Sequence, residues 1–118
     1  MEADQRFRKR ERLRKRREFL HVQGRGAKFS VDPLLALVLR NDLGETRLGL
    51  TVSTKVGNAV VRTRLRRQLR ELFRKRKASL PKGLDVVLIA RTNAANASFE
   101  TLERSFTELI RKLAGRFS

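Results

Sequence analysis

Apolar residues recur along this chain with two different periods, and the changes of period mark its elements. Between Asn58 and Lys77, the residues Val61, Leu65, Leu69, Leu72 and Phe73 fall at i, i+4, i+8, i+11 and i+12. At about 100° per residue they occupy an arc of roughly 120°, which is the pattern of an amphipathic helix. Asn58 stands where such a helix takes its N-cap. Arg67, Arg70 and Arg74 lie on the opposite side, and Arg66 flanks the apolar arc.

The period shortens elsewhere. Leu34 to Leu39 form a dense apolar run, as in a buried strand. Arg47 to Ser53 alternates, with Leu48, Leu50 and Val52 on one side. Asn41 to Glu45 supply turn residues between the two. Pro33 places the stretch before Leu34 at a sheet edge or a bend. Leu84 to Arg91 reads as a further buried strand.

Two more helices bracket these segments. The first is expected from about Arg12 to Val22, with Leu13 and Leu20 on one face, Phe19 and Val22 on another side, and Gly24 as its stop. The last starts near Ser98, with Phe99, Leu102, Phe106, Leu109, Ile110 and Leu113 facing a core, and Gly115 following its end. Residues 1–11 have little apolar periodicity and read as a mobile basic arm, leaving residues 12–118 as one domain. The order is helix, two or three strands, helix, strand, helix: an α+β chain folded as an α/β sandwich around one small sheet.

Composition changes the picture from fold to partner. The chain has 118 residues, 29 Lys and Arg against 12 Asp and Glu, and a formal net charge of +17. Residues 1–77 hold 23 basic and 8 acidic side chains, whereas residues 78–118 hold 6 and 4. The C-terminal third is therefore scaffold, and the rest carries a footprint suited to a polyanion, nucleic acid before an anionic membrane. Arginine outnumbers lysine 21 to 8. A guanidinium can fork two donors onto a phosphate and stack on a base; the alternative reading of the ratio is a codon or thermophile bias.

Several chemistries drop out. The chain lacks cysteine, which excludes disulfides, thiol nucleophiles and Cys-ligated metals. Its single histidine, His21, sits among basic residues without a nearby Asp, a poor setting for a serine triad. Asp32, Asp42, Glu45 and Asp85 are scattered over turns and strands, unlike the converging carboxylates of a metal-dependent nuclease. No apolar run approaches the ~20 residues of a membrane span, and the N-terminus lacks a signal-peptide apolar stretch. A cytoplasmic protein facing nucleic acid is expected, with no membrane contact.

The candidate chemistry is phosphate binding. A glycine loop carrying Lys55 and Asn58 feeds a helix N-terminus, whose free N–H groups suit an anion. The helix then presents Arg62, Arg64, Arg66, Arg67 and Arg70. Between positions 59 and 77 there are nine basic residues and one acidic, whereas ordinary solubilising faces mix signs. Arg12, Arg14 and Lys15 belong to a second basic stretch suited to phosphates. Phe19 and His21 could stack on single-stranded bases. Phe19 could equally be core.

Lys55-Val-Gly-Asn-Ala-Val-Val61 followed by Arg62-Thr-Arg-Leu-Arg-Arg-Gln-Leu-Arg-Glu71 resembles the signature of the bacterial ribonuclease P protein subunit. That family's pattern reads approximately R-N-R-x-K/R-R-x-x-R-E after a K-x-G-N/K-A-V stretch. The flanks agree: Arg12-Leu13 to Phe19, Leu48 to Ser53, and Pro81 to Arg91. The resemblance spans nearly everything from Arg12 onward. It implies the order αβββαβα, with the arginine helix in a left-handed βαβ crossover.

It also implies a function. The family's protein assists a large catalytic RNA that, with Mg²⁺, hydrolyses the phosphodiester joining the 5′ leader to precursor tRNA. By resemblance, Arg62, Arg64, Arg66, Arg67 and Arg70 contact the ribonuclease P RNA. Phe19, Val52, Ser53, Lys55 and Asn58 line or border a cleft for the single-stranded leader. The RNA carries the chemistry, the protein alone is expected to cleave nothing, no catalytic residue or metal ligand is assigned to the chain, and no protein partner is required. Thr63 stands where the family has Asn, Gln23 where a second aromatic is common, and aliphatics near Ala36 or Leu37 where a strand aromatic is often present. The alternative is a structural RNA-binding protein of ribosomal type.

Overall fold

The chain runs α1 (Arg16–Arg25), β1 (Ala27–Val31), β2 (Leu34–Arg40), β3 (Arg47–Thr51), α2 (Ala59–Arg76), β4 (Leu84–Ala90) and α3 (Phe99–Phe117). This is a computed structural model that describes residues 7–117. Short 3-10 turns occupy Lys9–Glu11, Lys77–Ser79 and Thr92–Asn96. The expected α+β order, with three strands before the arginine helix, is the order found.

The four strands form one mixed sheet in the order β1-β2-β4-β3. β1 pairs antiparallel with β2, β2 antiparallel with β4, and β3 parallel with β4. Joining parallel β3 and β4 requires a crossover, and α2 is that crossover. Pro33, preceded by a cis peptide bond, stands in the tight turn between β1 and β2.

Strand alternation sorts the residues onto two faces. Val38, Val86 and Leu48 lie side by side across the sheet and join Leu34, Ala36 and Leu88 in the main core. That core packs against Leu65, Leu69, Leu72 and Phe73 of α2 and Leu102, Phe106, Leu109 and Leu113 of α3. Each such side chain contributes about 1.5–3 kcal/mol on burial, far more than helix propensity can. The other face brings Leu37, Val87 and Gly49 into one row. There Leu13 and Val22 complete a second, smaller cluster with Phe19 against it.

The N-terminal region differs from its sequence reading. The first helix begins at Arg16 rather than Arg12, because Arg12 and Leu13 pair with β3 and the Arg14 and Lys15 N–H groups bond to Glu18. Arg12 forms a parallel bridge with Leu48, and the Leu13 N–H donates to the Leu48 carbonyl at 2.9 Å. Leu13 is buried from this extended segment, whereas Leu20 is 51% exposed, so the two share no helical face. Gly24 lies inside α1, and the chain turns at Gly26, where a Cβ would sit 2.6 Å from the Val22 carbonyl oxygen. At the other end, α3 continues through Gly115 to Phe117, whose ring tilts against Phe29 at 6.3 Å.

The basic arm is also different from Phe7 onward. Phe7 meets Phe73 edge-on with ring centroids 5.2 Å apart, and Lys77 pairs with Glu11 at 2.9 Å. An aromatic and a carboxylate thus dock a segment whose composition suggested mobility. Residues 1–6 of that arm lie outside the described residues.

Candidate nucleic-acid interface

The interface is built around the start of α2. The Asn58 Oδ1 accepts the Val61 N–H at 3.0 Å, the N-cap bond expected from sequence. Buried Val56 anchors the preceding loop, and its N–H donates to the Ser53 carbonyl at 3.1 Å. Ser53, Lys55 and Asn58 are exposed on that loop. Val52 differs: at 3% exposure its side chain belongs to the main core. Only its backbone borders the surface, where its carbonyl accepts from the Arg66 guanidinium at 3.3 Å.

The helix arginines divide into two groups. Arg62 donates to the Gly57 carbonyl at 3.2 Å, and Arg64 reaches the Ala95 carbonyl at 2.6 Å, so both are engaged at the N-terminal end of α2. Arg66 and Arg70 instead face the extended N-terminal segment. With Arg12, Arg14, Phe7 and Phe19 they line a groove of about 260 Å³. A neighbouring hollow of about 380 Å³ continues it along Arg67, Thr63 and Glu71. Lys15 is exposed immediately before α1, where it is the N-cap residue.

The groove's charge is poorly neutralised from within. Among the described residues, no ion pair engages Arg12, Arg14, Arg66, Arg67 or Arg70. Burial, and then the like charges of Arg12 and Arg66, push the Arg70 guanidinium below its ordinary range. An arginine stays charged at neutral pH regardless, so the repulsion stands until an anion relieves it. Two guanidinium-bearing walls of this kind fit phosphate oxygens, which accept paired N–H donors.

The second sheet face adjoins this groove. α1 covers the row of Leu37 and Val87 but leaves the next row less covered. Ser30, Leu35, Ile89 and Thr51 lie side by side there, with Ser30 exposed and the other three half-buried. Phe19 is half-buried at the junction, packed on the small cluster and lining the arginine groove at once. The two readings left open for Phe19 are therefore compatible.

A polar network fixes α1 to this face. Arg47 donates to both carboxylate oxygens of Asp85, at 2.8 and 2.7 Å, and to Glu18 at 2.9 Å. Glu18 also accepts the N–H groups of Arg14 and Lys15 at 3.1 and 3.0 Å. Burial raises the Glu18 pKa, but these N–H bonds and Arg47 outweigh it and hold the carboxyl below its ordinary range. His21 is exposed beside this network. Among the described residues, no group of three or more His, Asp or Glu side chains converges to hold a metal ion. No described helix is long and apolar enough to cross a membrane.

Sequence reasoning missed Phe7, Gly49, Leu35 and Ile89. Phe7 had one available signal, a lone aromatic inside a charged stretch. The others needed the strand register.

Comparison with known proteins identifies the family. A family model described as Ribonuclease P matches residues 7–114. The ribonuclease P protein component of Desulfosudis oleivorans is 40% identical over 111 residues, covering 94% of this chain and 92% of its own. That of Thermotoga maritima is 35% identical over 113 residues, covering 92% and 97%. Its solved structure superposes with a TM-score of 0.80 at 34% identity, covering 86% of this chain and 96% of its own. The Staphylococcus aureus ribonuclease P protein also superposes with a TM-score of 0.80, at 28% identity, covering 92% and 98%. With the arginine helix, the sheet order and almost the full length accounted for, the chain belongs to the bacterial ribonuclease P protein family, the protein component of a tRNA-processing endoribonuclease.

Proposed function

We propose that this subunit binds the catalytic RNA through the arginine groove and α2, and holds the single-stranded 5′ leader of precursor tRNA against the sheet face beside α1. The observation that carries this reading is the convergence of Arg12 and Arg14 with Arg66 and Arg70, without ion-paired carboxylates, next to a half-covered apolar row. The groove grips backbone phosphates regardless of sequence, whereas Leu35, Ile89, Thr51 and the Phe19 edge offer apolar and polar surface to unpaired bases. Ser53, Lys55 and Asn58 border that surface, and Arg62, Arg64 and Arg67 extend the cationic field around the start of α2.

The hydrolysis belongs to the RNA in this reading. Mg²⁺ is held by the RNA and the substrate, and the protein lowers the metal requirement by supplying fixed positive charge. The subunit works in the cytoplasm with its RNA partners and needs no second protein.

The test is 5′-leader cleavage of a precursor tRNA at low Mg²⁺ by a bacterial ribonuclease P RNA, with and without this protein. Cleavage that needs the RNA and is rescued by the protein is expected. Tight RNA binding without rescue would instead mark a structural RNA-binding protein. Phe19→Ala should weaken binding of precursor tRNA more than of mature tRNA; equal losses would confine Phe19 to a packing role.

A further inference from the structure

The arginine groove has two walls of the same sign, and nothing in α2 alone holds the second wall in place. Arg12 and Arg14 belong to the extended segment before α1. That segment is fastened downstream by the Leu13–Leu48 hydrogen bond and upstream by two side chains. The Phe7 ring packs at 64° against that of Phe73, which is fully buried. Both carboxylate oxygens of Glu11 accept from the Lys77 ammonium at 2.9 Å, in a pair whose side chains are only 12% and 14% exposed. Glu11 also accepts the Arg8 N–H at 2.8 Å, which closes the short turn. Arg12 then lies with its guanidinium carbon 4.5 Å from the Phe7 ring centroid and donates to the Phe7 carbonyl at 3.3 Å.

We propose that Phe7 and Glu11 are positioning residues for RNA binding: by docking the strap Phe7–Lys15 on α2 and on the Lys77–Ser79 turn that follows it, they hold Arg12 and Arg14 opposite Arg66 and Arg70, so that one run of phosphodiesters is gripped from two sides. The inference rests on reading the groove as an RNA-binding face, and it adds residues that need not touch RNA. Without the strap, Arg12 would swing away from Arg66 and Arg70, since like charges repel. With it, the repulsion is stored in the free protein and released when a phosphate enters.

Glu11 separates this role from simple electrostatics. Removing a carboxylate near a polyanion site raises the local positive potential, which by itself tightens RNA binding. Loss of the Glu11–Lys77 latch acts in the opposite direction. The sign of the effect therefore identifies which role dominates.

The experiment measures affinity of the full chain for a bacterial ribonuclease P RNA over a series of salt concentrations. The variants are Glu11→Gln, Phe7→Ala, Phe7→Leu, Arg12→Ala, Arg66→Ala, Arg70→Ala and the Phe7→Ala/Arg12→Ala double. Glu11→Gln and Phe7→Ala should each bind several-fold more weakly, and the salt slope should lose about one unit, one phosphate contact. Phe7→Leu should recover most of the loss, and Phe7→Ala should add little once Arg12 is gone. Tighter or unchanged binding by Glu11→Gln, or an equal Phe7→Ala loss with and without Arg12, overturns the positioning role. Should Phe7→Ala lower the melting temperature into the assay range, Glu11→Gln alone decides. If Arg12→Ala, Arg66→Ala and Arg70→Ala also leave affinity unchanged, the groove reading fails and the positioning role with it. If those three weaken binding and Glu11→Gln does not, the positioning role alone fails.

Discussion

The ring of Phe19 occupies the space that a side chain on Gly49 would need: a Cβ there would fall 2.7 Å from Phe19 Cε1 and 3.0 Å from Leu13 Cβ. The close approach lets the Phe19 side chain of α1 lie directly on β3 and sets how far it projects into the groove. Gly49→Ala should therefore cost about 1–3 kcal/mol, the range for overpacking a filled site. Denaturant unfolding measures it. The displaced ring should also reduce discrimination between precursor and mature tRNA, measured as the ratio of their dissociation constants.

Arg47 joins α1 to β4 through Glu18 and Asp85, and Asp85 is 5% exposed. Arg47→Met should destabilise the protein by about 3 kcal/mol, because it leaves a buried carboxylate with Asn41 as its remaining side-chain donor. Asp85→Asn in the same background should recover part of that loss by removing the stranded charge. Chemical denaturation of the two variants gives the comparison.

Glu18 makes stability depend on acid. Burial pushes its pKa up, yet the N–H groups of Lys15 and Arg14 and the Arg47 guanidinium bring it below the ordinary value. The folded carboxyl thus holds its proton less tightly than the unfolded one, whose pKa is about 4.3. The stabilisation is complete above that value and fades as pH falls through the lower folded pKa. Glu18→Gln should flatten the acid limb of stability below about pH 4.3. Hydrogen bonds from Arg74 and Arg111 hold Glu71 and Glu108 low as well, so part of the slope remains. Unfolding free energies measured from neutral pH downward test the difference.

Arg66 and Arg70 share one groove, whereas Arg64 leans toward the Thr92–Asn96 turn. Arg66→Ala and Arg70→Ala should each weaken RNA binding and remove about one unit of salt slope per lost phosphate contact. Their effects should be non-additive when combined, because neighbours sharing partners couple. Arg64→Ala combined with Arg70→Ala should be nearly additive. Titrations of the single and double variants over salt distinguish these outcomes.

What the sequence makes legible follows from the range of the interactions. α2 is readable because its core face, its cap at Asn58 and its arginines all lie within one continuous segment. The strands are readable from alternation, and the arginine helix from its family pattern. The start of α1 is not, because Arg12 and Leu13 are claimed by Leu48, far along the chain. Gly24 and Gly26 look alike in sequence, yet only Gly26 approaches another backbone closely enough to require glycine. Val52 continues the alternation of β3 and could be placed on the leader side only by analogy, whereas its side chain packs in the main core. The second wall of the groove was hidden for the same reason as α1, since Phe7 finds Phe73 and Glu11 finds Lys77 across more than sixty residues.

The bridge between Arg12 and Leu48 also bears on how copies of the protein meet one another. β3 is the outermost strand on its side, and an unpaired outer strand is a template for intermolecular pairing and aggregation. The N-terminal segment occupies that border of β3. On the opposite border, Ser105 and Lys112 donate to the Val31 and Ser30 carbonyls of β1. The chain's own groups thus cover part of each margin of the sheet, and its surplus positive charge adds mutual repulsion between copies. Copies of the protein therefore meet edge to edge less readily than a bare four-stranded sheet would.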